Sequence, residues 1–259
     1  MKASIDSIET FGLVDGPGIR TVIFFNGCNL RCKYCHNPEM WRKKDENYTP
    51  EEIVEKVIRC KPYFKNKGGI TFSGGEPLLH SEFIIEVAKI LKKENIHIAL
   101  DTAGYGNGDY DKILDYVDLV ILDIKHTTRE GLKNLTGGDI EKVEEFIKAL
   151  NRKNKTVWIR QVIIPGVTDS LEYITSLANY IKKINNIEKI EFLPYHHLGE
   201  EKYQVLNIPY PYKDKPEMDK DECQKLYENF ILKFWQDMEA CSLSYCRLGC
   251  NLCIDGSVL

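Results

Sequence analysis

Three thiols, Cys28, Cys32 and Cys35, fall within eight residues of the stretch 27–37, which reads GCNLRCKYCHN. One loop can wrap thiols at that spacing around a single metal centre, and soft thiolates favour iron-sulfur clusters, zinc or copper(I). Zinc sites and most cluster sites take four protein ligands, so a compact set of three leaves one metal atom open for chemistry. Two plainer readings stay open on spacing alone: a zinc knuckle completed by His36, or a loop of reduced thiols holding nothing.

A loop of this kind needs a scaffold. Short β-branched or apolar runs at 19–25, 69–72, 96–100, 119–122, 157–164 and 190–193 alternate with helical stretches, the pattern of six βα units around a parallel sheet. Thr49-Pro50-Glu51-Glu52 combines an N-cap, a proline in the first turn and a capping-box glutamate. The helical faces read Ile53, Val57 and Cys60; Ile84, Val87, Ala88 and Leu91; Val143, Phe146, Ile147 and Leu150; and Ile174, Leu177, Ala178 and Ile181. A last helix is expected at about 219–237, with Cys223, Leu226, Tyr227, Phe230 and Phe234 on one side. Cys60 and Cys223 lie on apolar stripes and read as small core hydrophobes.

Six units are too few for a closed barrel but make an open arc, and in parallel α/β folds chemistry collects at the carboxyl ends of the strands. Each run here delivers a polar group to that end. The cysteine loop follows the first, Ser73-Gly74-Gly75-Glu76-Pro77 the second, Asp101-Thr102 the third, and Asp123 and Lys125 the fourth. Arg160 lies within the fifth, and Pro194-Tyr195-His196 follows the sixth. Such convergence reads as an enzyme. Gly74 and Gly75 let a ligand approach the backbone beside the Glu76 carboxylate, or form an ordinary turn. Asp101, Thr102 and Asp123 read as a hard-oxygen cation site or as helix caps. Lys125, Arg160 and His196 can receive an anionic carboxylate, or the two cations can pair with Asp101 and Asp123. His197 reads as a solvent neighbour, and Asp15-Gly16-Pro17-Gly18 as a turn.

The Cys-x3-Cys-x2-Cys spacing with Tyr34 before the last thiol, the words ETFGLVDGPGIR at 9–20 and YCHNPE at 34–39 resemble glycyl-radical-enzyme activases of the radical S-adenosylmethionine (SAM) superfamily. The resemblance covers nearly the whole chain to the end of the last helix. It implies a partial (β/α)6 barrel in which Cys28, Cys32 and Cys35 hold a 4Fe-4S cluster whose fourth iron binds SAM. It implies SAM contacts from Ser73, Gly74 and Gly75, less firmly Glu76, and from Tyr34, Asn37, Asp101, Lys125, Arg160 and His196. It further implies a monovalent cation at Asp101, Thr102 and Asp123, joined by the Ile121 carbonyl, and an Asp15 loop at the substrate edge. Reductive SAM cleavage would yield a 5′-deoxyadenosyl radical that takes hydrogen from a backbone glycine of a large partner, a glycyl radical enzyme of the pyruvate formate-lyase kind. A flavodoxin or ferredoxin-type protein would supply the electron. The short distance from the thiol loop to Thr49 argues against activases with a ferredoxin-like insert. Two alternatives remain: a radical SAM enzyme acting on a small molecule or peptide, and a non-enzymatic iron-sulfur or zinc scaffold.

The 259 residues, 43% of them hydrophobic, suffice for one large α/β domain at 1–239. A formal charge of -4 gives no bulk basic field for nucleic acid. Nine cysteines with a chelating cluster fit reduced ligands in a cytoplasmic monomer better than a disulfide framework. No apolar run nears the roughly 20 residues that span a bilayer, and the first ten residues hold no signal-like core. The extension at 240–259 adds Cys241, Cys246, Cys250 and Cys253, which suit an auxiliary 4Fe-4S cluster, a structural zinc or no metal.

Overall fold

All six expected runs become strands in the computed structural model, which describes the backbone of residues 1–246 and the side chains of residues 1–236. They are β2 (Arg20–Phe25), β3 (Gly69–Gly74), β4 (His97–Thr102), β5 (Leu119–Asp123), β6 (Thr156–Ile163) and β7 (Ile187–Pro194), preceded by an unexpected β1 (Ile5–Gly12). The sheet runs β1-β2-β3-β4-β5-β6-β7, with β1 antiparallel to β2 and every later pair parallel. The six-unit expectation holds as six parallel strands in order, and the antiparallel edge strand β1 adds to it. β1 hides from a period-two search for a physical reason. Register shifts between Ile5 and Ser7 and between Glu9 and Gly12 break its alternation, and most of its side chains are at least partly exposed.

Parallel strands taken in sequence order need crossovers that all turn the same way, so the helices stack on one face of the sheet and the other face is left concave. The crossover helices are α1 (Pro50–Phe64), α2 (Ser81–Lys93), α3 (Tyr110–Leu114), α4 (Arg129–Thr136), α5 (Ile140–Arg152) and α6 (Leu171–Ile181); after the last strand come α7 (Glu200–Val205), which packs on the cysteine loop, and α8 (Lys220–Cys246), which packs on β7. α1 starts with the expected capping box: Thr49 Oγ1 accepts from Glu52 N at 3.3 Å, and Thr49 N donates to Glu52 Oε2 at 2.7 Å. Each helical stripe read from the sequence faces the sheet, and Cys60 and Cys223 are buried free thiols in the core. α8 passes the expected end at 237 and runs to Cys246. Of the extension at 240–259, the side chains of Cys241 and Cys246 and all of Cys250 and Cys253 lie outside the described residues. Among the described residues no helix is long and apolar enough to cross a membrane.

Strand alternation separates two apolar layers. Ile98, Leu100, Val120, Leu122, Val157 and Ile159 join the main core under the helices, while Ala99, Leu119 and Ile121 form a small separate cluster against Trp158. Asp101, Asp123 and Arg160 share the parity of that small cluster and so continue the concave face toward the strand ends.

Phe146 on α5 is fully buried, with its ring 5.0 Å from Tyr110 in an edge contact. Phe146→Ala is expected to lower unfolding free energy by about 3–5 kcal/mol in urea titrations. Leu171→Ala, at a position 77% exposed, should stay within about 0.5 kcal/mol of the parent.

Candidate active site

At the carboxyl ends of β3 to β7 a cavity of about 420 Å³ opens on the concave side. The cysteine loop after β2 forms one wall. Its root is held by backbone bonds from Gly27 N to Met40 O and Cys28 N to Trp41 O, and its middle by Arg31 N and Lys33 N donating to Thr136 O and Leu135 O at the end of α4. Leu30 and Tyr34 pin it from below as buried side chains. All three thiols line the cavity and none is in a disulfide. Burial pushes Cys28 up to about 11 and Cys32 up to about 12, and raises Cys35 as well, with Lys125 the cation that pulls each back. Such thiols stay protonated at neutral pH until a positively charged metal centre displaces the proton.

The donor set fits a cluster better than a zinc knuckle. His36 is engaged elsewhere: its ring stacks on His196 with centroids 4.2 Å apart, and its Nε2 is 3.1 Å from His196 O. Among the described residues no three His, Cys, Asp or Glu side chains are placed to hold one metal ion. Thiolates that each bind a different iron of a 4Fe-4S cube need not converge on a point.

Gly74 and Gly75 serve a protein contact as well as an open approach. At Gly74, with φ of 107°, a Cβ would lie 2.3 Å from Phe25 N, and one at Gly75 would lie 2.3 Å from Gly27 O. Bonds from Gly75 N to Phe25 O and Glu76 N to Gly27 O thereby lock this turn to the root of the cysteine loop. Glu76 does not reach the cavity. It is 1% exposed and accepts from Thr102 Oγ1, Leu78 N and Ala103 N, tying the turn after β3 to the one after β4.

The opposite wall carries the charges. Asp101, Thr102, Asp123, Lys125, Ser73, Asn37 and His196 all line the cavity, and Arg160 approaches it through Asp101. The ion-pair alternative is realised: Lys125 Nζ lies 2.8 Å from Asp123 Oδ2, and Arg160 Nη1 lies 3.3 Å from Asp101 Oδ2. Arg160 Nε also binds Glu191 at 3.0 Å, and Nη2 donates to Val14 O in the Asp15 loop. Glu191 and Val14 were not among the sequence candidates. The signal for Glu191 is that it sits in register with Arg160, which only strand pairing supplies.

Burial opposes the charge on Lys125, yet Asp123 holds the ammonium well above its ordinary range. Burial also pushes Asp101 up to about 7: Arg160 pulls it down, while Asp123 and Asp15 add repulsion. Asp123 Oδ1 is buried without a hydrogen-bond partner, an acceptor suited to a cation. Thr102 Oγ1 is occupied, accepting from Gly104 N while bonding Glu76. His197 corrects the reading as a solvent neighbour, since its backbone N donates to Glu217 and its Nε2 bonds Lys215 O at 2.7 Å.

The chain matches the Radical SAM superfamily over residues 22–178. It is 53% identical over 224 residues to a pyruvate formate-lyase-activating enzyme of Clostridium pasteurianum, covering 86% of this chain and 94% of that one. It is 37% identical to the protein of that name from Staphylococcus epidermidis, over 88% of this chain and 94% of the relative. Among solved structures, Streptococcus suis SuiB bound to its precursor peptide SuiA superimposes with a TM-score of 0.66 at 17% identity. That match covers 89% of this chain and 48% of SuiB, and it is a likeness of fold.

Asp101 supplies a pH test. Its folded-state value lies above the ordinary carboxylate range, so ionising it costs stability progressively as pH rises toward 7, and the cost is complete above that. A monovalent cation, were one bound beside Asp101, would offset the cost only where Asp101 is charged. Added potassium or sodium is expected to raise the thermal midpoint more at about pH 8 than at about pH 6, against tetramethylammonium at equal ionic strength. Asp101→Asn should remove the difference.

Proposed function

Because this chain belongs to the radical SAM superfamily, we propose that it activates a glycyl radical enzyme of the pyruvate formate-lyase type. The observation that carries this reading is one cavity with three free thiols on one wall and paired carboxylates and cations on the other. Its volume falls in the small-molecule range of roughly 300–1,000 Å³. The chemistry supplied by a bound 4Fe-4S cluster and SAM is one-electron cleavage of the sulfonium to methionine and a 5′-deoxyadenosyl radical, which takes hydrogen from a glycine Cα.

The chain's own residues have three tasks. Cys28, Cys32 and Cys35 would hold the cluster, and a set of three protein ligands leaves it a position for the cosubstrate. Ser73, Gly74 and Gly75 line the SAM site with backbone, and Asn37, Lys125, Arg160 and His196 orient the cosubstrate. Asp101, Thr102 and Asp123 would hold a monovalent cation, Thr102 through its backbone because its hydroxyl is taken by Glu76 and Gly104, and the buried unpartnered oxygen of Asp123 supports this assignment. Closure against solvent matters because a primary alkyl radical attacks almost any C–H bond. Buried Tyr34 and Cys32 seal the floor.

The partner's glycine arrives on an extended loop that must leave its own fold, so affinity is modest. Leu13 and Val14, 71% and 75% exposed in the loop whose carbonyl holds Arg160, offer that peptide an apolar edge. The reductant is a flavodoxin or ferredoxin-type protein, and the setting is cytoplasmic. For the tail thiols Cys241, Cys246, Cys250 and Cys253, whose side chains lie outside the described residues, a second 4Fe-4S cluster, a zinc ion and no metal remain the three readings. Serine at all four should lower the metal content of anaerobically reconstituted protein under the first two and leave it unchanged under the third.

Reconstituted protein given reductant and SAM is expected to form 5′-deoxyadenosine, and a glycyl EPR doublet should appear on a pyruvate formate-lyase-type partner. Cys32→Ser should abolish both signals while circular dichroism stays unchanged. Nucleoside formed without a doublet on any glycyl radical enzyme would move the reading to a small-molecule or peptide substrate.

A further inference from the structure

The segment after β7 returns to the cysteine loop and grips it at several points, between residues more than 150 positions apart in the chain. Gly199 packs so tightly that a Cβ there would lie 2.7 Å from His36 Cα and 3.2 Å from Cys35 O. Tyr203, 1% exposed, donates its hydroxyl to Cys35 O at 3.0 Å and sets its ring edge-on to Trp41. Lys202 Nζ lies 2.6 Å from Asn37 Oδ1 and 2.5 Å from Glu39 Oε1. The second Glu39 oxygen is buried and has no partner, so Lys202 is the group that neutralises this carboxylate.

An ammonium has only donors, so the atom of Asn37 that faces Lys202 must be the amide oxygen. The NH2 end is then the one left for the cavity that Asn37 lines. An unrestrained asparagine could turn either end inward and would meet donors and acceptors alike. We infer that Lys202 is a positioning residue for cosubstrate recognition: by holding the Asn37 oxygen it presents a hydrogen-bond donor to an acceptor atom of SAM. This rests on the reading of the cavity as the SAM site. The geometry also gives α7 a purpose that its six residues would not otherwise have, since it carries Lys202 and Tyr203 to a loop far from it in sequence.

The test must separate positioning from simple charge neutralisation. Lys202→Met strands Glu39 as well as freeing Asn37, whereas Lys202→Met combined with Glu39→Gln removes the stranded charge and leaves Asn37 unheld. SAM affinity is read from the change in the reduced-cluster EPR signal on titrating SAM, alongside iron content and thermal midpoint. The double variant should recover wild-type iron content and midpoint yet bind SAM about tenfold more weakly. Lys202→Arg, which keeps donors, should retain most of the affinity. In an Asn37→Ala background the double change should weaken binding no further. Wild-type affinity in the double variant, or an equal loss in the Asn37→Ala background, overturns the inference while leaving the cavity's assignment intact. A fully loaded wild-type protein showing no SAM-dependent change overturns that assignment, and the inference with it.

Discussion

Arg160 is the interaction on which the rest of the site depends. Its guanidinium binds Asp101 on β4, Glu191 on β7 and the carbonyl of Val14 in the loop between β1 and β2. A planar fork of five donors can make such a junction, and a lysine in its place could not. Strand register brings the carboxylates within reach: Glu191 is a pairing neighbour of Arg160 on β7, about 4.8 Å away across the sheet, and Asp101 lies on β4, beyond the other neighbour, Asp123 on β5. The same junction links the edge of the mouth to its interior, because the Val14 carbonyl belongs to the loop that carries Asp15.

Around this junction the protein sets buried charge against buried charge. Carboxylates at Asp101, Asp123, Asp15 and Glu191 face cations at Lys125 and Arg160, and Asp101 is pushed up although Arg160 touches it. Thiols on the facing wall are pushed up for the same reason, loss of water around a prospective anion. Neither wall is at its electrostatic optimum alone. Buried anionic ligands on both sides favour whatever brings positive charge to them, which is how a scaffold makes cofactor binding part of its own stability.

Much of the architecture was legible because its signals are local. The Thr49 cap, the stripes of α1, α2, α5 and α6, and the six apolar runs each depend on residues a few positions apart, and each formed as read. β1 was not legible, since its irregular pairing leaves its two isoleucines, Ile5 and Ile8, three positions apart, a helical spacing rather than the alternation of a strand. Within the site, the thiol loop, Asp101, Asp123, Lys125 and His196 were found from their place after apolar runs. Glu191 was missed because nothing beside it in sequence marks it as the partner of Arg160. Gly74 and Gly75 were understood only in part, as their closest neighbours are Phe25 and Gly27 on another strand and loop. Lys202 reads as one more surface charge on a short acidic helix until the fold lays it against Asn37.

By itself the chain's sequence determined which chemistry is available: three soft ligands at loop spacing, hard oxygens and cations at strand ends, and glycines where backbone must come close. Those are properties of residue type and of separations under about ten positions, where strand and helix periods govern. Tertiary structure alone decided which charge faces which, that Glu76 is a buried strut, that His36 is spent on His196, and that Lys202 holds Asn37. Those pairings join residues tens to more than a hundred positions apart. They depend on strand register and on how a singly wound sheet curves, which packing sets and no local pattern encodes.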